Sequence, residues 1–327
     1  MALHHFVPQD RLSALRRGEP LPERAEGAVL FADISGFTAL TEALCQREGE
    51  RRGIEAVSQR VNAAFAALVA EVDRQQGSVI GFAGDAITCW FDARDGAAAE
   101  RAAHAARGMQ SAIARLPELA LKVMVGCGPA RRFVVGHPEV QRIDALAGAT
   151  LDRVASADGL ALPGEVLIDE ATARALGVPM AAPRSTVAGD CFVVLDPAMA
   201  LPKPPTGAHP ALRAEATDEQ LLRPWLLPLV FERETSGQPL FLTDLRPATA
   251  LFMRLTGLDH DRDDQAVATL HGLVSQAQLL VQRHGGVVLE LTLGDKGCYL
   301  YASFGAARVH EDDAARALRA ALSLRQA

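Results

Sequence analysis

The same pattern is written twice along this chain. "LFMRLTGL" at residues 251–258 repeats the form of "LFADISGF" at 30–37: an apolar strand, one charged residue, then a small-residue turn. The helical run "DQAVATLHGLVSQAQLLVQRHGG" repeats "GIEAVSQRVNAAFAALVAEVDRQQG". Val267, Leu270, Val274, Ala277 and Val281 answer Ile54, Val57, Val61, Ala64, Phe65, Leu68 and Val72, all at the three- and four-residue steps of one helix face. "VVLELTLGDKGCYLYASFG" repeats "SVIGFAGDAITCWFD", two strands about a Gly-Asp turn. "EDDAARALRAALSLRQA" repeats the alanine-rich helix of residues 97–115. A repeat of this length predicts two copies of one unit packed as a pseudo-symmetric pair.

The first copy goes further than the second. "LKVMVGCG", "GEVLIDEAT" and "DCFVVLD" add strands up to residue 195, and the alternation of strands with helices predicts an α/β or α+β sheet domain. The second copy has no counterpart of 119–195. Half a sheet would leave a long unpaired edge, so the sequence reads as one that continues past Ala327 in a longer protein. Between the copies, "DPAMALPKPPTGAHP" at 196–210 holds five prolines and reads as a linker. The expected organisation is an N-terminal segment over 1–26, a first unit over 27–195, a connector over 196–239 and a partial second unit over 240–327.

Composition narrows the function. The net charge is −7 with no concentrated basic patch, which argues against nucleic acid as a partner. No apolar run reaches the roughly 18 residues of a membrane span, and "MALHHFVPQDRLSALRRGEP" has no apolar core of signal-peptide length. The five cysteines are scattered, without a CxxC pair or Cys/His cluster. That pattern weighs against structural zinc and fits a reducing cytoplasm.

Two aspartates carry the chemistry. Asp33 ends the first buried strand, and Asp85 sits in the Gly84-Asp85 turn between the next two. Taken singly, each has a plainer use: Asp33 as a turn residue, Ser35 as a helix cap, Asp85 as a hairpin-turn residue. If the strands are antiparallel neighbours, both carboxylates reach one sheet edge. Paired carboxylates there suit hard cations such as magnesium, which keep open positions for phosphate oxygens. Beside them lies "SGFT", where Gly36 permits close backbone approach, helix-start amides favour an anion, and Thr38 adds a hydroxyl.

"FADISGFTALTE" together with "GFAGDAI" resembles the class III nucleotidyl cyclase homology domain. The tandem arrangement, with "ELTLGDKGCYLYASFG" in the second copy, resembles the soluble, bicarbonate-responsive adenylyl cyclases. The resemblance covers roughly residues 25–195 and 240–327. It implies a ferredoxin-like α+β fold in two pseudo-symmetric copies, here with the second incomplete, paired intramolecularly with the active site between them. It implies conversion of ATP to cyclic AMP and pyrophosphate with two Mg2+ or Mn2+ ions. Asp33 and Asp85 match the metal-binding aspartates, and the carbonyl of Ile34 completes one ion site. The amides of Ser35, Gly36, Phe37 and Thr38 match the cradle for the β- and γ-phosphates. Lys296 matches the lysine that reads the purine.

The chain departs from that pattern in several places. The asparagine and arginine that orient the ribose and stabilise the transition state are replaced by Asp152 and Ser156 in "GATLDRVASADGLALPGEVLIDEAT". Arg254 stands in the second copy where Asp33 stands in the first, so that copy has lost its own metal site. The asparagine and arginine of the second copy would lie past Ala327. The subfamily's bicarbonate-binding lysine is replaced by Gly81, and Arg153 is the nearest candidate for an anion pocket that would accept bicarbonate. Three functions compete: a cyclase catalytic module, an inactive cyclase-homology pair serving as a nucleotide sensor or scaffold, and a two-metal phosphohydrolase or polymerase-like palm, which shares the paired aspartates but does not explain Lys296 in a degenerate second copy.

Overall fold

The computed structural model describes residues 3–203, 219–236, 247–294 and 297–326. Chain order in the first part is α1 (Gln9–Arg17), β1 (Arg24–Ser35), α2 (Phe37–Glu48), α3 (Glu50–Arg74), β2 (Ser78–Ala83), β3 (Ala86–Asp92), α4 (Ala98–Ile113), β4 (Ala120–Val135), β5 (Ile143–Ala147), α5 (Ala149–Ser156), β6 (Val166–Asp169), α6 (Glu170–Leu176), β7 (Arg184–Ser185) and β8 (Cys191–Val194). The strands form one sheet in the order β2-β3-β1-β4-β6-β8-β7, with β5 paired to the far half of β4. β1 is antiparallel to both β3 and β4, and β4 is parallel to β6. The fold is α+β.

β1 is apolar on both faces because it is covered on both. Ala28, Leu30, Ala32 and Ile34 enter the core beneath α3 and α4, while Val29 and Phe31 join Trp90, Met124, Leu151 and Val154 on the opposite side. A strand buried this way reads as a continuous apolar run rather than an alternation. α3 lays Ala64, Leu68 and Val72 on the sheet, the face its spacing predicts.

The second part follows two short helices of the connector, α7 (Glu219–Leu222) and α8 (Pro228–Thr235). It consists of β9 (Thr249–Leu255), α9 (Ala266–Arg283), β10 (Val287–Gly294), β11 (Gly297–Phe304) and α10 (Asp313–Gln326). Its sheet order, β10-β11-β9, is that of β2-β3-β1. The repeat extends to an irregularity: the first strand of each hairpin has a register shift, at Val79/Gly81 and at Val288/Glu290. One element is not repeated. β1 is followed by α2 and then α3, but β9 leads to α9 through residues 256–265 alone.

The two units share a core. Beyond the sheet, β4 and β5 form an antiparallel arm, Arg131–Val135 against Ile143–Ala147. Phe133, Val135, Ala145 and Ala147 of that arm pack with Leu270, Val274, Ala277, Val281 and Leu300. Gln278 is buried within the seam, accepting from the His137 N–H at 2.7 Å and donating to the Gln141 carbonyl at 2.9 Å. Arg131, also buried, donates to the carbonyls of His260 (3.0 Å) and Asp263 (2.7 Å) and to Glu23.

The N-terminal segment is part of the packed body. Leu3, Val7 and Leu12 form a small core with Leu222, Trp225 and Leu226 of the connector. Beneath it, Arg11 and Arg132 both bond Asp144 at 2.7 Å, Arg132 also bonds Asp10, and the Arg11 guanidinium lies 4.6 Å over the Trp225 ring. Residues 204–218, which include part of the proline-rich linker, lie outside the described residues. Among those described, no helix is long and apolar enough to cross a membrane.

Candidate functional site

β1 delivers Asp33 to the sheet edge, between Ala86 of β3 and Lys122 of β4 in the ladder register. The β2–β3 hairpin closes with Ala83 opposite Ala86, which leaves Gly84 and Asp85 as its two-residue turn, Gly84 at φ +64°. The Ile34 N–H donates to the Asp85 carbonyl at 3.0 Å, so the turn is tied to the residue after Asp33. The Asp85 side chain is exposed, and that of Ile34 is fully buried in the core. Asp33 and Asp85 thus reach one edge of the first sheet.

The turn after Asp33 starts α2. Gly36 is its N-cap, at φ +103°, and a Cβ there would stand 2.7 Å from the Glu118 carbonyl oxygen. Only glycine fits that position. The Ser35 hydroxyl donates to the Ala120 carbonyl at 3.4 Å and does not cap the helix. No side chain caps α2, so its first amides, those of Phe37 and Thr38 among them, are left for another acceptor. Phe37 packs on the core, and Thr38 is exposed.

Charge is unbalanced here. Lys122 places Nζ 2.6 Å from Asp158 Oδ1 and 3.3 Å from Asp33 Oδ2. Burial pushes the Asp33 carboxyl above its ordinary range, the Lys122 hydrogen bond pulls it back, and the charges of Asp85 and Asp158 push it up again. Burial pulls the Lys122 ammonium down, but its bonds and charge pairing with Asp158 and Asp33 outweigh that and leave it raised. Two carboxylates, Asp33 and Asp158, therefore share one ammonium, while the Asp85 charge acts on Asp33. Lys122 Nζ lies within ion-pair reach of Asp33 but nearer Asp158, so the Asp33 carboxylate accepts a positive partner without holding the ammonium's shorter bond. Among the described residues, no group of three or more His, Cys, Asp or Glu side chains converges on a point. Two carboxylates at an open edge suit an ion that draws its other ligands from water, main chain and phosphate, as magnesium does.

Lys122 and Asp158 were not legible as site residues. Lys122 is a single charge in the strand "LKVMVGCG", and only the non-local register of β4 on β1 sets it opposite Asp33.

α5 carries Asp152 and Ser156 at the seam with the second unit. Asp152 Oδ1 stands 4.0 Å from where a Cβ on Gly294 would be, at the end of β10. The Ser156 hydroxyl turns back to the Arg153 carbonyl at 2.8 Å. Arg153 donates to Asp169 at 2.8 and 3.1 Å and to the Cys127 carbonyl at 2.9 Å. Those bonds fasten α5 to β4 and the start of α6. Asp169 is meanwhile the N-cap of α6, accepting from the Thr172 N–H.

In the second unit, Arg254 is exposed on β9 opposite Tyr299, its guanidinium 5.9 Å from that ring. Asp33 pairs with the first residue after its hairpin turn, whereas Arg254 pairs with the third after Gly294–Gly297 closes. The shift of two residues keeps Arg254 on the same face as its counterpart but sets it back from the edge. Lys296 lies outside the described residues. Counted along the hairpin, the residue in the place of Ala86 is Gly297.

No family profile matches the chain. It is similar to adenylate cyclase type 10 of Rattus norvegicus, 23% identical over 325 residues that take in 88% of this chain and 20% of that protein. The Mus musculus protein of the same name is 23% identical over 330 residues with the same shares. The Homo sapiens protein is 34% identical over 83 residues, 25% of this chain and 5% of that one. The chain thus spans about a fifth of the length of the rat and mouse relatives. Among solved structures, the adenylyl cyclase CyaB from P. aeruginosa aligns with 53% of this chain and 95% of its own, at 20% identity and a TM-score of 0.45. A bacterial light-regulated adenylyl cyclase aligns over 59% of each chain, at 18% identity and a TM-score of 0.48. The sequence comparison extends the motif-based resemblance to the tandem soluble adenylyl cyclases over most of the chain.

Proposed function

We propose that this chain is a cyclase module that binds ATP with Mg2+ or Mn2+ at the Asp33–Asp85 edge and contributes the metal-binding half of a site for cyclic AMP formation. The observation that carries this reading is the convergence of Asp33, Asp85 and the uncapped start of α2 on one sheet edge. In the reaction, the ribose 3′ oxygen bonds to the α-phosphorus, the bond from that phosphorus to the bridging oxygen breaks, and pyrophosphate leaves. Bound ions would lower the pKa of the 3′ hydroxyl and offset charge on the leaving oxygens.

The chain's own groups would act as follows. Asp33 and Asp85 supply the ion ligands, with the Ile34 carbonyl between them. The Phe37 and Thr38 amides and the helix dipole of α2 receive the β- and γ-phosphates. Lys122 adds a positive charge beside them. Base recognition by Lys296 remains part of the proposal. In the plan of the first unit, ribose and transition-state groups come from the helix after the fifth strand, the place of Asp152 and Ser156. By the resemblance, those groups for the Asp33–Asp85 edge would come from a partner copy's counterpart of α5.

A second reading shares the nucleotide and drops the chemistry: the pair acts as a nucleotide sensor. Asp152, Ser156 and the missing counterpart of α2 favour it. ATP binding tests both readings, and cyclic AMP production separates them. The assay is manganese- or magnesium-dependent ATP binding and cyclic AMP formation by this chain, alone and in a protein with a complete second copy, against Asp33→Ala and Asp85→Ala. Loss of metal-dependent ATP binding in both variants is expected; unchanged binding overturns the site assignment.

A further inference from the structure

The geometry points to Asp158 as a positioning residue: it holds the Lys122 ammonium to one side of Asp33, so that the lysine supplements a divalent ion there instead of replacing it. The inference rests on the metal reading of Asp33 and Asp85 given above.

Lys122 has little choice of partner. It lies directly across the β1–β4 ladder from Asp33, and such cross-strand neighbours project from the same sheet face. Its side chain is 17% exposed and that of Asp33 21%, so solvent screens the pair only partly. Without another anion, the ammonium would settle on Asp33 and occupy the position a metal ion needs. Asp158 prevents this. Its Oδ1 takes the shorter bond, 2.6 Å against 3.3 Å, and draws Nζ towards the end of α5. The turn that carries Asp158 is itself pinned: the Leu160 carbonyl accepts from Arg184 at 2.7 Å, and Arg184 is paired with Glu165. A fixed turn and a charge-assisted bond set the lysine's position more firmly than the strand pairing alone.

The cost of losing Asp158 is therefore an occupied Asp33. Binding of Mn2+ alone to the full chain, read from the paramagnetic resonance signal of the free ion, measures it directly and needs no turnover. In Asp158→Asn the apparent Kd for Mn2+ is expected to rise about three- to tenfold, below the usual 10- to 100-fold cost for outer partners of metal ligands because Asp158 is partly exposed. Asp158→Glu is expected to restore most of the affinity.

A general loss of negative field would also weaken Mn2+ binding, so the deciding comparison uses the Lys122→Met background. There a field effect persists, whereas a positioning effect disappears because nothing is left to position. An Asp158→Asn rise seen only with Lys122 present supports the proposal. An equal rise in both backgrounds, or no rise in either, overturns it, as does a fall in melting temperature with unchanged Mn2+ affinity. Asp33→Ala and Asp85→Ala measured alongside separate the two levels. If they leave Mn2+ binding intact, the metal reading has failed; if they abolish it while Asp158→Asn has no effect, only the positioning role has failed.

Discussion

At the scale of single residues, position decides more than residue type. Gly36 and Gly81 are both glycines near the same edge, yet their tolerances differ. Gly36 sits at φ +103° with the Glu118 carbonyl in the way of any Cβ, while Gly81 has an ordinary φ and open space around it. Gly36→Ala should therefore cost about 1–3 kcal/mol, read as a lower midpoint in urea, with Gly81→Ala close to neutral as the control. His260 makes a second residue-level case. Its imidazole is half-buried at the seam, edge-to-face with Phe133 at 5.6 Å, with Nε2 buried and unbonded among the described residues. Burial holds its pKa below the ordinary value, Arg131 adds to that, and Asp261 and Asp259 oppose it. A histidine whose folded pKa is depressed binds its proton more readily when unfolded. Its contribution is complete above the unfolded pKa of about 6.5 and is lost as pH falls from there towards the lower folded value. Thermal stability should therefore drop between about pH 7 and pH 5 by more in the native chain than in His260→Gln, measured as melting temperature against pH. An identical pH profile in the variant would remove His260 from the account.

Elements show which parts of the fold could be read from sequence. β9 follows from its apolar run before a small-residue turn, and α9 presents the apolar face its spacing predicts. The placing of Asp33 and Asp85 at one sheet edge was readable too, because each interrupts an apolar pattern at a turn. The β4–β5 arm was not. Its strands carry Arg131, Arg132 and Asp144, which look like surface residues in a sequence and are buried here because they bond one another, Arg11, Asp10 and main-chain carbonyls. The arm pairs locally, but the Arg11, Asp10, His260 and Asp263 groups that satisfy its buried charges lie more than a hundred residues away and leave no local signal. The N-terminal segment was opaque for the same reason, since its core partners lie in the connector. Gln278 gives the measurable consequence for α9. Replacing it with Ala would strand the His137 N–H and the Gln141 carbonyl in a buried seam, a loss of about 1–3 kcal/mol. Urea unfolding followed by tryptophan fluorescence checks this, with the exposed Gln59→Ala expected to be near neutral.

For the whole molecule, the repeat is a symmetry of architecture and an asymmetry of chemistry. The second unit keeps the strand order and even the bulge, but it lacks an equivalent of α2 and carries Arg254 instead of a carboxylate. Among the described residues, the carboxylate at the end of the first strand is therefore present in one unit and not in the other. The loop that replaces α2 serves the seam instead: Asp261 accepts from the Ala149 N–H at 3.0 Å, at the start of α5, and its carbonyl accepts from Arg24 at 2.8 Å. The second unit also depends on the first for its core. Phe133, Val135, Ala145 and Ala147 complete the apolar layer over α9, while Phe252, stacked on Tyr301 at 4.8 Å, remains 67% exposed on the other face of the sheet. Three strands and two helices with one face borrowed and the other bare bury too little apolar surface to offset the ordering of the chain. Residues 247–327 expressed alone should therefore show no cooperative thermal transition by circular dichroism and should bind a hydrophobic dye, whereas the whole chain melts cooperatively. A sharp melt of the isolated segment would mean that the second unit carries its own stability and that the shared core is incidental to it.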